Sequence, residues 1–382
     1  MNCQREKFRI GRKDAYLNGA YMSPLLKKVE NAGKLGISKK RKPHRISPDD
    51  FFEDTETIRL LFAQLVNCDQ PERMVLIPSA SYGIANVTKN IKIKRGENIV
   101  VVGDQFPSNI YPWMRLCNDN SATLKTIHAP DVLENRGSKW NESILSAIDQ
   151  KTKAVAIGHV HWADGTLFDL EAIRNAATSV GALLIIDGTQ SIGALPFDIQ
   201  KIKPDALVCA AYKWLLGPYS IGIAYYGPAF NQGTPVEENW INRSGSEDFA
   251  NLVNYENEYR PGALRYEMGE HSNFILTPMF LASIKQINKW KPENIQEYCK
   301  SLIAEPIERI KDFGLFVENE GQRSAHLFGI KCPKEKLDPI KNAFKKHRVS
   351  VSFRGDFIRV SPNVYNDQLD MNRLLKAFEQ VF

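Results

Sequence analysis

Two side chains able to do nucleophilic or acid–base chemistry follow two apolar runs in the middle of the chain. Asp187 comes directly after the run 182–186, and Lys213 comes two residues after the run 206–211. In an open α/β sheet, ligands bind beyond the carboxyl ends of the strands. If each run forms a strand, both side chains therefore project into one crevice.

This pairing matches the chemistry of pyridoxal phosphate. That cofactor needs a lysine amine for a Schiff base and a carboxylate that keeps its pyridine nitrogen protonated. Apolar surroundings lower the pKa of a lysine toward the nucleophilic amine form. Gln190, three residues after Asp187, is predicted to reach the phenolic oxygen of the cofactor. We predict Lys213 and Asp187 as the catalytic residues, although either residue alone is also typical of a structural role.

Short β-branched runs alternate with helical patterns around these residues, which favours an α/β fold with a largely parallel sheet. Apolar residues between 58 and 65 recur on one helix face. Asp169 is predicted to cap a helix that ends near Gly181, and Thr277 to cap another. The predicted strands are 74–77, 99–102, 154–157, 183–186 and 207–210.

After about residue 290 the pattern becomes that of a small α+β domain, with a predicted hairpin formed by 349–353 and 357–360. We therefore expect three parts. An N-terminal segment and arm covers 1–48, a large cofactor-binding domain covers 49–260, and a connecting helix with the small C-terminal domain covers 261–382.

The composition fits a globular enzyme with 382 residues, of which 43% are hydrophobic and 25% charged. These values exclude collagen, coiled coil and wholesale disorder. The net charge of +6 fits an anionic small-molecule ligand, and no nucleic-acid or membrane partner is expected. The start of the chain has no apolar targeting run and the six cysteines form no CxxC pair, so we expect a cytoplasmic protein with reduced thiols.

The sequence resembles the class V aminotransferase family of fold-type I enzymes, which includes cysteine desulfurases, selenocysteine lyases, kynureninases and isopenicillin N epimerase. Besides the pair Asp187 and Lys213, the resemblance rests on Tyr-Leu-Asn-Gly at 16–19 and Phe-Ile-Arg-Val-Ser-Pro at 357–362. It implies a large domain with a mostly parallel seven-stranded sheet between helices and a small α+β C-terminal domain. It also implies pyridoxal 5'-phosphate as cofactor and a homodimer with shared active sites.

The resemblance further implies roles for individual residues around the cofactor. Ala80 and Ser81 lie where the family holds the cofactor phosphate at a helix start, and Tyr212 is expected to donate to the same group. Phe106 occupies the position of the ring that stacks on the pyridine. Trp162 is expected at the phenolic edge of the cofactor.

The substrate-binding residues implied by the resemblance are Arg359, Asn18 and His161. Arg359 matches the arginine that forks onto the substrate α-carboxylate. His271 or Ser272 is expected to complete the phosphate site of the partner subunit. The chain departs from the family pattern at Ala80, Ala210 and Glu270, each of which removes an expected phosphate contact.

The favoured function is an aminotransferase that acts on a small amino acid and a keto acid, with a lyase or epimerase as the alternative. A cysteine desulfurase is disfavoured because the interval 347–357 lacks the loop cysteine, and Cys332 precedes the helix that such a cysteine follows. A cofactor-binding scaffold without turnover is a further alternative. A metal site at His159 and His161, two residues apart on one strand face, is a distant one, and no metal is predicted.

A basic run at 39–45 is compatible with an anion-binding loop or with a solvated connector, of which the connector is favoured.

Overall fold

The computed structural model describes residues 1–382 and contains thirteen strands and eleven α-helices. The strands are β1 (Ala15–Tyr16), β2 (Met74–Ile77), β3 (Asn98–Val102), β4 (Thr123–Ile127), β5 (Thr152–Gly158), β6 (Leu183–Asp187), β7 (Ala206–Ala210), β8 (Gly222–Tyr226), β9 (Phe316–Val317), β10 (Phe328–Lys331), β11 (Val349–Ser350), β12 (Ser352–Arg354) and β13 (Phe357–Val360). The helices are α1 (Lys27–Lys39), α2 (Glu53–Leu65), α3 (Ala80–Lys89), α4 (Tyr111–Asp119), α5 (Arg136–Ala147), α6 (Leu170–Ser179), α7 (Ile199–Ile202), α8 (Leu276–Trp290), α9 (Pro292–Asp312), α10 (Leu337–His347) and α11 (Gln368–Glu379).

A seven-stranded sheet in the order β2-β8-β7-β6-β5-β3-β4 forms the centre of the large domain. Only β8 runs antiparallel to its neighbours β2 and β7. Every residue of β2, β3, β7 and β8 is buried, because helices cover both faces of the sheet. Strands buried on both faces read as continuous apolar runs, which is why all five predicted strands are confirmed.

The small domain is built on a second sheet in the order β12-β13-β10-β9. Its apolar cluster joins residues of α9, α10 and α11, and also Ala15 and Leu17 from the start of the chain. Strand β1 pairs in parallel with β11. The N-terminal segment therefore packs on the C-terminal domain and brings Asn18 to its edge.

Two sequence predictions need correction. The run 349–353 is split, since β11 pairs with β1 whereas the hairpin forms between β12 and β13. Thr277 does not cap its helix: α8 begins one residue earlier, and Thr277 Oγ1 donates to His271 O at 2.7 Å. The side chain of Asn273 instead accepts from the first amides of the helix.

The Asp169 cap is confirmed. Its side chain accepts from Ala172 N at 3.0 Å at the start of α6, and Gly181 follows the helix with φ of +72°. The basic run 39–45 is exposed along its whole length and connects α1 to the next short turn. None of the eleven helices combines the length and apolar composition that a membrane crossing requires.

A buried ion pair fastens the chain after residue 266 to the sheet. Arg59 of α2 and Glu267 are fully buried and hydrogen-bonded to each other. Glu267 also accepts from Leu76 N in β2 at 2.9 Å. Burial by itself raises the pKa of Glu267, but Arg59 and His271 outweigh it and hold the pKa below its usual value. The pair fixes the path that leads to Ser272.

We expect Glu267→Gln to lower the free energy of unfolding by about 3–5 kcal/mol, because it leaves Arg59 buried without a counter-charge. Urea unfolding at neutral pH measures this loss, and Glu142→Gln on the exposed face of α5 is the control. Because the folded-state pKa of Glu267 is lowered, its stabilisation is present above the ordinary glutamate pKa and disappears as the pH falls. The difference between variant and wild type should therefore shrink in acid. A variant as stable as the wild type at neutral pH contradicts the role of the pair.

Candidate active site

A cavity of about 280 Å³ opens at the carboxyl ends of the central parallel strands. It is bounded by the segments that follow β2, β3, β5, β6 and β7. Nine of the residues predicted from the sequence line it, namely Ala80, Ser81, Phe106, His161, Trp162, Asp187, Gln190, Tyr212 and Lys213.

Asp187 and Lys213 reach this cavity from adjacent strands. Strands β6 and β7 are parallel, with Asp187 opposite Val208, so that the chain after β7 leaves the sheet beside the Asp187 carboxylate. Asp187 Oδ1 accepts from Thr189 N at 2.9 Å, which fixes the orientation of the carboxylate. The expected convergence of an acid and an amine is therefore present.

Lys213 is the only buried lysine of the chain. Its Nζ lies 5.3 Å from the centre of the Phe106 ring and 5.5 Å from that of Tyr212. Burial lowers the pKa of Lys213 to about 8; Asp187 opposes this shift, and Arg359 and Arg354 add to it. At pH 7 about a tenth of an amine with this pKa is unprotonated, a far larger share than for an ordinary lysine, and the unprotonated form is the nucleophile.

The start of α3 forms the anion-binding end of the cavity. Ser79 caps the helix, and its Oγ accepts from Tyr82 N at 3.2 Å and contacts Ser81 Oγ at 2.9 Å. The amides of Ala80 and Ser81 precede the hydrogen-bonded turns of the helix and have no partner within the chain. Free amides at a helix N-terminus bind phosphate groups.

Aromatic side chains form another wall. Phe106 meets Trp162 edge-on, with 5.4 Å between ring centres. Tyr212 packs against Tyr219 with 4.7 Å between ring centres, and burial raises the pKa of Tyr212 to about 12. Tyr212 therefore keeps its proton at neutral pH and remains a hydrogen-bond donor.

Gln190 lines the cavity but is more constrained than its predicted role suggests. Its Nε2 donates to Ala20 O at 3.1 Å, and its Oε1 accepts from the indole of Trp214 at 3.0 Å. One amide hydrogen remains for a ligand, so contact with a phenolic oxygen stays a prediction.

The two histidines do not share a strand face, which corrects the sequence interpretation. Strand β5 ends at Gly158, and beyond it His161 lines the cavity whereas His159 packs against Phe197. His161 Nδ1 bonds to Asp164 at 2.9 Å, and Asp164 pairs with Arg136 at 2.8 Å. This buried network holds the turn that carries Trp162.

Three predicted residues do not line the cavity. Arg359 lies behind Trp162, where its Nη1 donates to Trp162 O at 2.8 Å. Ser352 Oγ connects Arg359 to Asn18: it accepts a hydrogen bond from Arg359 Nη2 at 3.4 Å and donates one to Asn18 Oδ1 at 2.8 Å. Ser272 lines a separate cavity with Lys39, so within one chain it does not contact the site.

The sequence interpretation missed several polar lining residues, namely Ser79, Gln105, Ser108, Thr189 and Ser220. Thr189 was detectable as a hydroxyl two residues after Asp187, and its Oγ1 accepts from Ala210 N at 3.2 Å. Gln105 holds the ends of β3 and β5 together by accepting from Gly158 N. Ser220 has a φ of +66°, which no local sequence pattern indicates.

Taken together, these residues fit pyridoxal phosphate. The cavity has free amides and a hydroxyl for a phosphate, flat aromatic faces for a ring, a carboxylate for a pyridine nitrogen, and a buried amine for a carbonyl carbon. Ala80 and Ala210 offer no side-chain donors, so the backbone carries more of the phosphate binding.

No cysteine lines the cavity. Cys117, Cys209, Cys299 and Cys332 are buried, and Cys3 and Cys68 lie elsewhere at the surface. Burial raises the pKa of Cys332 to about 11, which keeps this thiol protonated.

Comparisons with known proteins agree with this geometry. The family model "Aminotransferase class-V" matches residues 38–374. An uncharacterized aminotransferase of Bacillus subtilis is 24% identical over 325 residues, which cover 85% of this chain and 82% of that protein. A cysteine desulfurase of Shigella sonnei is 32% identical over 189 residues, which cover only 49% of this chain and 45% of that protein.

Solved structures show the same fold at low identity. An apo cysteine desulfurase from Thermococcus onnurineus superposes with a TM-score of 0.83 at 19% identity, covering 99% of this chain and 98% of that one. The cystine C–S lyase C-DES, in complex with its product cysteine persulfide, superposes with a TM-score of 0.83 at 16% identity, covering 96% and 98%.

We expect Ser81→Ala to weaken the binding of pyridoxal phosphate by about 10- to 100-fold, since a hydrogen bond to a charged group contributes about 1.5–3 kcal/mol. Equilibrium dialysis measures the two dissociation constants. Pyridoxal, which lacks the phosphate, is the internal control, and its affinity should not change. An equal loss for both molecules shows that Ser81 does not contact the phosphate.

Proposed function

Because this chain belongs to the class V aminotransferase family, we propose that it is a pyridoxal-phosphate-dependent aminotransferase acting on a small amino acid and a keto acid. The observation that carries the proposal is the convergence of Asp187 and the buried Lys213 in one cavity with a phosphate-binding helix start. The cavity contains nine of the twelve residues predicted to bind cofactor or substrate, including Lys213 and Asp187. This opposes the alternative of a scaffold that binds the cofactor without turnover.

Different residues of the chain supply proton transfer, cofactor binding and exclusion of water. When bound, pyridoxal phosphate supplies an electron sink for negative charge at the substrate α-carbon. Lys213 Nζ, with its pKa lowered to about 8, would accept a proton from that carbon and, as a general acid, would donate it to C4′, the former aldehyde carbon of the cofactor. Asp187 offers its carboxylate to the pyridine nitrogen. The first amides of α3 and Ser81 hold the phosphate, and the aromatic wall excludes water from the reacting face.

The positions of the cysteines favour this reaction over sulfur transfer. A desulfurase needs a thiolate that reaches the substrate sulfur, and the six cysteines lie outside the cavity. A lyase or an epimerase needs the same acid–base lysine and no cysteine, so it remains the second candidate.

We also propose a homodimer in which Ser272 serves the site of the partner subunit. Support comes from the place of Ser272, which is outside the Lys213 cavity of its own chain, beside the exposed end of α1.

A panel of amino acids distinguishes the candidate reactions. We expect at least one amino acid to convert the bound cofactor to pyridoxamine phosphate with stoichiometric release of its keto acid, both measured by mass spectrometry after a single turnover. Lys213→Ala is the control and should release no keto acid. Ammonia and a keto acid without pyridoxamine phosphate indicate a lyase, and racemised amino acid alone indicates an epimerase; either result contradicts transamination.

The lowered pKa of Lys213 gives a second test. The rate at which the cofactor-free chain binds pyridoxal phosphate should rise with pH and level off above about 8, as the amine loses its proton. Asp187 raises the pKa of Lys213, so Asp187→Asn should move the midpoint to lower pH. Lys151→Ala, at an exposed turn, is the control. A midpoint near the ordinary lysine value of 10.5 contradicts the account.

A further inference from the structure

Two arginines lie against the same aromatic ring at the edge of the active site. The guanidinium carbon of Arg354 is 5.0 Å from the centre of the Trp162 ring, and that of Arg359 is 5.8 Å from it. Trp162 itself lines the cavity that holds Lys213. Three basic side chains, those of Arg354, Arg359 and Lys213, therefore lie on this side of the site.

Neither arginine has an acidic partner. Arg359 donates to Trp162 O and Ser352 Oγ, and Arg354 donates to Phe353 O; these acceptors are all neutral. The Nε atom of each guanidinium is buried without a partner. Burial and the neighbouring Arg354 lower the pKa of Arg359 to about 9. Only the hydroxyls of Tyr16 and Tyr212 oppose this lowering, and no carboxylate does.

The other buried arginines of the chain each have an acidic partner, which Arg359 lacks. Four arginines are buried, and three of them pair with an acid: Arg5 with Asp370, Arg59 with Glu267 and Arg136 with Asp164. Arg359 is the exception. A buried charge is normally paired, because desolvation costs several kcal/mol that only an opposite charge offsets. The two arginines beside Trp162 thus lack an opposite charge, which a ligand can supply.

The phosphate of the cofactor does not account for both arginines, because the start of α3 has its own donors for it. The family resemblance assigns the substrate α-carboxylate to one guanidinium, that of Arg359. Arg354 is left beside it with a planar donor fork that suits a carboxylate. Like charges held this close raise the local positive potential and favour a ligand with more than one negative charge.

We propose that the substrate carries a second carboxylate bound by Arg354, so that the site takes short dicarboxylic amino acids and keto acids. The proposal rests on the proposed function and on the role of Arg359 that the family resemblance implies, and it extends that function to the substrate side chain. Arg354 stands on β12 at the hairpin edge, half-exposed, and its guanidinium lies against Trp162, which lines the cavity.

Calorimetric titration with unreactive acids tests this. Glutarate is butyrate with a second carboxylate in place of one hydrogen of its terminal methyl group, and neither acid has an amino group. We expect the cofactor-loaded wild type to bind glutarate at least tenfold more tightly than butyrate, the increment of one charge-assisted bidentate pair. Equal affinities overturn the proposal.

Variants assign the preference to a residue. Arg354→Gln should abolish the preference for glutarate and leave butyrate binding unchanged, whereas Arg354→Lys should keep part of it through its charge. Arg359→Gln should weaken both acids. Arg348→Gln, a surface arginine that pairs with Asp14, is the control and should change neither. A preference for glutarate that survives in Arg354→Gln contradicts the assignment. A preference that is lost to the same extent in Arg354→Lys and in the surface control Arg348→Gln also contradicts it. Melting curves verify that each variant is folded.

The same titrations with the cofactor-free chain separate this proposal from the proposed function. If the chain binds no cofactor at Lys213, the proposed function fails, while glutarate binding at Arg354 remains measurable. If the cofactor binds and glutarate shows no advantage, only the second-carboxylate site is wrong.

Discussion

The parallel pairing of β6 with β7 is the constraint on which the rest of the site depends. Both strands are almost wholly apolar, are covered by helices on either face, and pair in a register that places Asp187 opposite Val208. Because they run in the same direction, Asp187 and the turn that carries Lys213 emerge at one edge of the sheet. Strands β2, β3 and β5 of the same sheet deliver the phosphate-binding turn, Phe106 and Trp162 to that edge.

The burial of residues at this edge of the sheet also determines the protonation of Lys213 and the need of buried arginines for an opposite charge. Lys213 is desolvated, which lowers its pKa and makes it useful as a nucleophile and a base. Elsewhere the chain neutralises its buried charges internally, as Arg136 does with Asp164 and Arg59 with Glu267. Around Trp162 it does not, and the unpaired arginines mark the place where a ligand brings the opposite charge.

Much of the fold and of the site could be predicted from local sequence. The strands were predictable because a fully buried parallel strand is a continuous apolar run, and Asp169 because an N-cap is a short-range signal. Nine of the predicted site residues line the cavity because each one ends a strand of the central sheet or follows it within four residues. Features that depend on distant contacts could not be predicted: the division of 349–353 between β1 and β13, the anchoring of Gln190 by Trp214, and the divergence of His159 from His161. Arg354 was equally invisible, since only the folded chain shows that it and Arg359 share one ring and lack acids.

The most direct test of the central claim is the site of covalent attachment. The full-length protein, saturated with pyridoxal phosphate, is reduced with borohydride, digested and mapped by mass spectrometry. The account predicts one stoichiometric phosphopyridoxyl label, on Lys213, and no label at that position in a folded Lys213→Ala variant. A folded, cofactor-saturated wild type that carries its label on another lysine, or carries none, contradicts the account.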